Sequence, residues 1–450
     1  MEKRKIAFHT FGCKLNFAET SAIARKFTEE SYTAVDFKEK ADIYVIHSCT
    51  VTAQAERKCK AAIRQAVRRN PDASVAVIGC YSQLKPDELM KMPGVNIVLG
   101  NHEKYRLFDV IAQQNGAINQ NHDLHYHGHL SPADGTADYV TDQEIKTSRA
   151  YEPGYSINDR TRSFFKVQDG CDYFCSYCAI PFARGRSRSA TIKETIDIAQ
   201  KIASSDIREI VLTGVNIGDF GSRHNETFFG LVKELNQLAG IDRIRISSIE
   251  PELLEDRIIE LVGSSDKLMP HFHIPLQSGT DRILELMRRK YKREVFAARV
   301  HKIKELMLHA CIAADVITGF PGETEEDFND TVSFIDSLDI SYLHVFTYST
   351  RPGTRSAEME GQVSESEKTR RSKILHRLSD EKKLKFYTQN MNALQDVLWE
   401  SDTQDGMMFG FTGNYIRCKT PHDQLKVNTI EKVKLLSIDD DGVFTVDVVK

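Results

Sequence analysis

Over the first hundred residues, short runs rich in isoleucine and valine alternate with longer stretches of helical character. Spans 5–10, 43–47, 75–78 and 96–99 predict buried strands, and 20–30 and 52–69 predict helices. That alternation predicts an α/β fold built on an open parallel sheet with covering helices. From about 113 to 160 the pattern is lost, and NGAINQNHD, SPADGTAD and YEPGYS supply turn formers. A long connection is expected there. It carries His122, His125, His127 and His129 in HDLHYHGH, either a metal tract or, more plainly, a polar surface loop.

The alternation resumes from about 163 to 350, with strands expected at 164–168, 209–213, 243–247, 271–275, 313–317 and 342–346. Helices such as 192–203, 229–238 and 323–338 lie between them. Six such units joined by right-handed crossovers curl into a partial (β/α)6 barrel. The charged span 364–385 predicts a helix. The last sixty residues change character, with short strands at 396–400, 414–418, 432–438 and 443–449 and a DDDG turn before the last. A small antiparallel β-barrel or sandwich is expected there. The segments are therefore 1–112, an α/β domain; 113–160, a linker; 161–375, the partial barrel; and 376–450, the small β domain.

Composition adds exclusions. Hydrophobic residues are 41% and charged residues 28%, as in soluble globular proteins. No stretch approaches the ~20 apolar residues of a membrane span. The N-terminus has no secretory pattern, so a cytoplasmic protein with no membrane partner is expected. Net charge is −4, so any contact with RNA has to be a local patch.

Nine cysteines, an odd number, argue against a disulfide framework and for metal or redox chemistry. Cys171, Cys175 and Cys178 form C-x-x-x-C-x-x-C directly after the first strand expected in the barrel. Three clustered thiolates suit three irons of a [4Fe–4S] cube, leaving one iron open to a non-protein ligand. A zinc site or three unrelated thiols are the alternatives. Cys13, Cys49 and Cys80 are dispersed, but each follows a strand of the first sheet. Ligands of open parallel sheets bind outside the carboxyl ends of strands, so these three can converge on a second such cluster. Gly12 and Gly79 beside them ease tight loops. Buried structural thiols are the alternative. Cys59 is a weak ligand candidate, and Cys311 and Cys418 read as core residues.

The triplet after the first strand of a β/α array resembles the radical S-adenosylmethionine (SAM) superfamily. GCKLN at 12–16, HSCTVT at 47–52, GCY at 79–81, CDYFCSYCAIPFARGRSRS at 171–189, HIPLQSG at 273–279 and GFPGET at 319–324 are similar to the methylthiotransferases. GFTGNYIRCKTP at 410–421 resembles their C-terminal TRAM domain, and GCKLNFAET looks most like the branch acting on N6-threonylcarbamoyladenosine in tRNA. The resemblance covers almost the whole chain.

It implies two [4Fe–4S] clusters. Cys171, Cys175 and Cys178 would hold the one that binds SAM, and Cys13, Cys49 and Cys80 an auxiliary one that carries the sulfur to be inserted. Electron transfer to SAM would release a 5′-deoxyadenosyl radical, which removes hydrogen from carbon 2 of the adenine, and a second SAM would give the methyl group. Around the SAM, the resemblance and the strand ends point to Tyr177, Thr213, Gly214, Asn216, Ser247, Ser248, Glu250, His273, Gln277, Asp315 and Thr318. Arg184, Arg186 and Arg188 follow the triplet and suit RNA phosphate or the threonylcarbamoyl carboxylate, with intramolecular pairing the alternative. Implied partners are tRNA at its anticodon loop, gripped by the small β-barrel, an electron donor such as a flavodoxin or ferredoxin, and a sulfur source. The rival substrates are isopentenyladenosine in tRNA or a ribosomal-protein aspartate. Readings of another class are an iron–sulfur redox protein and an RNA-binding protein, neither with transferase activity.

Overall fold

Strand β1 (Lys5–Thr10) is the seed of a six-stranded sheet, and every pairing in that sheet is parallel. The computed structural model describes residues 3–30, 32–50, 52–117, 126–127, 151–157 and 161–449. Strand order is β2 (Thr33–Val35), β1, β3 (Ile43–Ser48), β4 (Ser74–Gly79), β5 (Val95–Leu99) and β6 (Tyr126–His127). Helix α1 (Lys14–Glu29) and the helix Leu107–Ala117 cover one face, where Ile23, Phe27, Leu107 and Ile111 pack on Ile6, Ile43, Val45 and Ile78. Helix α2 (Ala53–Arg69) covers the other, with Cys59, Ile63 and Ala66 against Tyr44, Ile46, Val75 and Val77. Both faces are buried, so these strands read as continuous apolar runs rather than alternating ones.

Helix α1 begins at Lys14, six residues before the expected start. Its first turns bury Asn16, Glu19 and Thr20, and these polar core positions hide the helical period from a hydrophobicity reading. Of the histidine tract, His122, His125 and His129 lie outside the described residues.

The chain divides into two compact units. The first holds this sheet together with Asp169–Asp172 and Ala179–Arg188, and the second holds Ile157–Gln168, Tyr173–Cys178 and Ser189–Lys450. Within the second unit, six strands run Arg162–Lys166, Glu209–Thr213, Arg243–Ile246, His271–Gln277, Cys311–Thr318 and Tyr342–Thr347. The first three pair in parallel, as do the last three. Parallel bridges Ile244↔Leu268 and Ser248↔His273 connect the two sets. The result is the expected partial (β/α)6 barrel. Its helices start on recognisable caps: Thr191 with Glu194, and Thr324 with Asp327, form capping boxes.

The helix Glu365–Gln389, capped by Ser364, runs unbroken through the boundary expected at 375–376. Five strands follow, Leu394–Gln404, Met407–Thr412, Arg417–Pro421, Ile430–Ile438 and Phe444–Val448, and they close into a barrel around Trp399, Met408, Cys418, Val433 and Phe444. The barrel is not purely antiparallel, because the third and fifth strands pair in parallel. The second strand was not expected. It contains Gly410, where a Cβ would lie 2.5 Å from Leu398 O, so the strand needs a residue that weakens its own sequence signal. Among the described residues no helix is long and apolar enough to cross a membrane.

Candidate cluster and cofactor sites

In the first unit, the three dispersed cysteines sit just beyond the carboxyl ends of adjacent strands β1, β3 and β4. Cys13 caps α1, Cys49 follows β3, and Cys80 opens the short helix α3 (Cys80–Leu84) after β4. The loops approach closely. Gly12 has φ +99°, and a Cβ there would lie 2.9 Å from the Cys49 Sγ. Gly79 has φ +102°, and a Cβ there would lie 2.5 Å from the His47 Cδ2. Both positions require glycine. Asn16 stitches two of the loops by donating to Phe11 O at 2.8 Å and Ser48 O at 3.2 Å.

A buried ionic network lies beside these thiols. Arg184 donates to Glu19 Oε1 at 3.1 Å and Oε2 at 3.0 Å, to Asp169 Oδ1 at 2.9 Å and to Asn16 Oδ1 at 2.6 Å. Lys104 donates to Glu19 Oε2 at 2.6 Å and to Asn101 Oδ1 at 2.9 Å. Asn101 Nδ2 in turn reaches Cys80 Sγ at 3.5 Å. Arg188 pairs with Asp169 at 2.9 Å. The expectation that Arg184 and Arg188 meet the substrate is thereby corrected: both are buried, and their guanidinium groups are engaged by partners within the unit. Arg186 stays solvent-facing, 3.4 Å from Asp172. Asn101 and Lys104 carried no motif that announced them, and Asn16 and Glu19 lie in GCKLNFAET, where only Cys13 was singled out as a site residue.

The second unit holds Cys175 and Cys178, and Cys171 belongs to the first. Arg289, another residue without a sequence signal, donates to Cys175 Sγ at 3.3 Å and Tyr177 Oη at 3.5 Å, and pairs with Glu250. Burial pushes the Cys175 thiol up, with Arg289 pulling the other way. Burial likewise raises Glu250 to about 7 against the pull of Arg289. Tyr177 packs edge-on against Phe320 at 6.3 Å.

Thr213 ends its strand, and its carbonyl accepts from Val167 N at 2.9 Å. A Cβ at Gly214 would come within 2.9 Å of Gln168 O, and Gln168 Oε1 accepts from Val215 N at 3.0 Å and Asn216 N at 2.8 Å. Gln168 thus shapes the loop that presents Asn216. Ser247 and Ser248 follow the third strand, and Ser248 bridges His273. Gln277 and Thr318 each end a strand. Gln277 Oε1 and Thr318 Oγ1 are buried without a hydrogen-bond partner among the described residues. Two orphaned polar atoms at neighbouring strand ends, with Gln277 in the left-handed region at φ +64°, fit a polar ligand at the mouth of this barrel. Tyr177, Thr213, Gly214, Asn216, Ser247, Ser248 and Glu250 lie on the loops and strand ends of this same unit.

His273 and Asp315 are not at strand ends. Their strands extend to Gln277 and Thr318, further than the sequence suggested, which leaves both residues in mid-strand. His273 Nε2 and Asp315 Oδ1 lie 2.6 Å apart, and Asp315 is in register with His344 on the last strand. The three offer ligand atoms within 4.8 Å of one another. Two imidazoles and a carboxylate suit a polar substrate group or a divalent cation.

Cys59, Cys311 and Cys418 are buried in hydrophobic cores. Burial raises Cys59 and Cys311 to about 12, so these thiols stay protonated.

Residues 5–100 match the family model described as "Uncharacterized protein family UPF0004", and residues 165–335 match the radical SAM superfamily. The threonylcarbamoyladenosine tRNA methylthiotransferase MtaB of Bacillus subtilis is 40% identical, over 96% of this chain and 93% of its own length. The protein of the same name from Thermotoga maritima is 32% identical, over 98% of this chain and 96% of its own. A tRNA-2-methylthio-N(6)-dimethylallyladenosine synthase from Syntrophotalea carbinolica is 29% identical over 90% of each chain. Among solved structures, the radical SAM methyltransferase TsrM from Kitasatospora setae, with a SAM analogue bound, aligns at TM-score 0.55 and 15% identity, over 79% of this chain and 75% of its own. That likeness concerns the fold alone.

Proposed function

We propose, for a chain that belongs to the threonylcarbamoyladenosine tRNA methylthiotransferase family, that the protein methylthiolates carbon 2 of N6-threonylcarbamoyladenosine beside the tRNA anticodon, at position 37. The observation that carries this reading is the placement of Cys13, Cys49 and Cys80 at the ends of three adjacent strands, in a chain that also carries the C-x-x-x-C-x-x-C triplet. Near-full-length identity to enzymes named for this substrate supports the choice of base.

When bound, the SAM-loaded cluster supplies a 5′-deoxyadenosyl radical that takes the hydrogen from carbon 2, and the second cluster with a second SAM supplies the methylated sulfur that replaces it. Cys171, Cys175 and Cys178 would hold the first cluster, and Cys13, Cys49 and Cys80 the second. Tyr177, Thr213, Gly214, Asn216, Ser247, Ser248, Glu250, Gln277 and Thr318 would cradle SAM at the barrel mouth. Arg289 would keep positive charge against the Cys175 thiolate. His273, Asp315 and His344 would face the threonylcarbamoyl-bearing base in the lumen. Arg186 would contact RNA phosphate, and the closed β-barrel would grip the tRNA. The base has to leave its stack to enter such a site, and anticodon-loop bases are exposed enough to do so. A flavodoxin- or ferredoxin-type donor and a separate sulfur source complete the set of partners.

The test is mass spectrometry of tRNA nucleosides from a strain lacking the gene. Loss of 2-methylthio-N6-threonylcarbamoyladenosine, with the unthiolated nucleoside accumulating, is expected. An unchanged level of that nucleoside would overturn the assignment.

A further inference from the structure

We propose that Arg184 is a positioning residue for the sulfur-carrying centre, setting the reduction potential of the cluster held by Cys13, Cys49 and Cys80. The proposal rests on the reading that those thiols hold a second cluster.

Arg184 closes the short helix Ile180–Arg184, which packs in the first unit beside the helix opened by Cys80: Asn101 Nδ2 donates to Ala183 O at 2.7 Å and to Cys80 Sγ at 3.5 Å. The Arg184 side chain is 2% exposed. An arginine guanidinium stays protonated in a protein, and Glu19 and Asp169 bracket it at 3.0 and 2.9 Å. It is thus a permanent, desolvated cation on a helix that Asn101 ties to the Cys80 sulfur. Two carboxylates, Glu19 and Asp169, are shared by three cations, Arg184, Lys104 and Arg188.

That arrangement has a direction. Taking up an electron makes a thiolate-ligated cluster more negative, and a fixed buried cation favours the more negative state strongly, because water does not screen it. Hydrogen bonds to cysteine sulfur act in the same sense. Arg184 also orients the amide of Asn16, whose Oδ1 lies 3.9 Å from Cys13 Sγ, by donating to that oxygen at 2.6 Å. Its effect on the centre therefore combines charge with the setting of neighbouring dipoles.

The experiment is an EPR-monitored redox titration of the reconstituted holoenzyme. A variant with Cys171, Cys175 and Cys178 replaced by alanine identifies the signal of the auxiliary cluster. In R184Q the midpoint of that cluster is expected to move to more negative potential, whereas R184K, which keeps the charge, stays near the wild type. N101L removes the N–H···S contact without changing charge, and a smaller negative shift is expected. Should R184Q fail to fold, E19Q decides, because it removes an anion that offsets the Arg184 charge: a positive shift supports the proposal and an unmoved midpoint overturns it. An unmoved midpoint in folded R184Q overturns it as well. So does equal loss of iron from R184Q and R184K with the surviving clusters at wild-type potential, which marks a purely structural role. If the wild-type iron and sulfide content matches one cube, the second-cluster reading itself falls, an outcome distinct from all of these.

Discussion

Arg245 grips both carboxylate oxygens of Glu209, with Nε 2.9 Å from Oε1 and Nη2 3.2 Å from Oε2, on adjacent strands of the partial barrel. The same guanidinium donates to Gly413 O at 2.9 Å, and its neighbour Arg243 donates to Asp396 O at 2.7 Å and Phe411 O at 3.1 Å. The two arginines therefore tie the small β-barrel to the base of the larger one within a single unit. Arg245→Met removes the bidentate partner of the buried Glu209 charge and leaves it Arg162 at 3.8 Å and the more weakly coupled Arg243. A loss of about 3–5 kcal/mol in the urea unfolding free energy is expected. A change below about 1 kcal/mol would mean the pair is dispensable.

Glu209 also gives a pH dependence. Burial opposes its charge, but Arg245 and then Arg162 overrule it and hold the carboxyl at about 2, against an ordinary 4.5. A depressed folded-state value stabilises the fold above the unfolded value and loses that contribution as pH falls toward the folded one. In the cluster-free chain, the urea midpoint should fall between about pH 5 and about pH 3, and E209Q should show a flatter acid limb. Parallel curves for the two proteins would refute the assignment.

Gly79→Ala tests the architecture of the proposed auxiliary site without replacing any of its proposed ligands. The residue has φ +102°, and a Cβ would sit 2.5 Å from the His47 ring and 2.8 Å from Ser48 O. A cost of about 1–3 kcal/mol is expected, concentrated in the loop that presents Cys80. If the two proposed clusters are held as assigned, on exposure to a chelator the variant should lose iron from Cys13, Cys49 and Cys80 sooner than the wild type, and iron from Cys171, Cys175 and Cys178 at the wild-type rate. Equal acceleration at both sites would point to global unfolding instead.

These cases also mark what the sequence could reveal. The strands were readable because β/α packing demands unbroken apolar runs, and the cysteine triplet because its thiols sit within one short segment. The dispersed trio needed a topological argument, that strand ends in a parallel sheet converge. Which of the two roles open to Arg184 it takes was not legible, because its partners Glu19 and Asn16 lie 165 and 168 residues away, so nothing local distinguishes a buried arginine from one offered to RNA. Arg289 and His344 were missed for the same reason, since neither belongs to a motif and each acquires its neighbours only through tertiary pairing.

His344→Ala probes the lumen. The residue belongs to the trio with the hydrogen-bonded pair His273 and Asp315, but sits on the last strand, away from the SAM mouth. Loss of one hydrogen bond to the modified base should lower methylthiolation at limiting tRNA by about 10-fold, equivalent to ~1.4 kcal/mol. Production of 5′-deoxyadenosine in the absence of tRNA should be unaffected. A parallel loss of both activities would place His344 in SAM binding rather than beside the base.

Arg186→Ala separates RNA contact from the buried arginines on either side. Arg186 is 46% exposed and lies 3.4 Å from the exposed carboxylate of Asp172, whereas Arg184 and Arg188 are committed to Asp169 in the interior. A surface guanidinium on phosphate contributes through counterion release, so its removal should weaken tRNA binding alike for all tRNA sequences. The slope of log affinity against log salt should fall by about 1. Thermal stability should stay within about 0.5 kcal/mol of the wild type, because an exposed ion pair contributes little. An unchanged salt slope, measured by fluorescence anisotropy across a salt series, would remove Arg186 from the RNA interface and leave the small β-barrel to supply the grip.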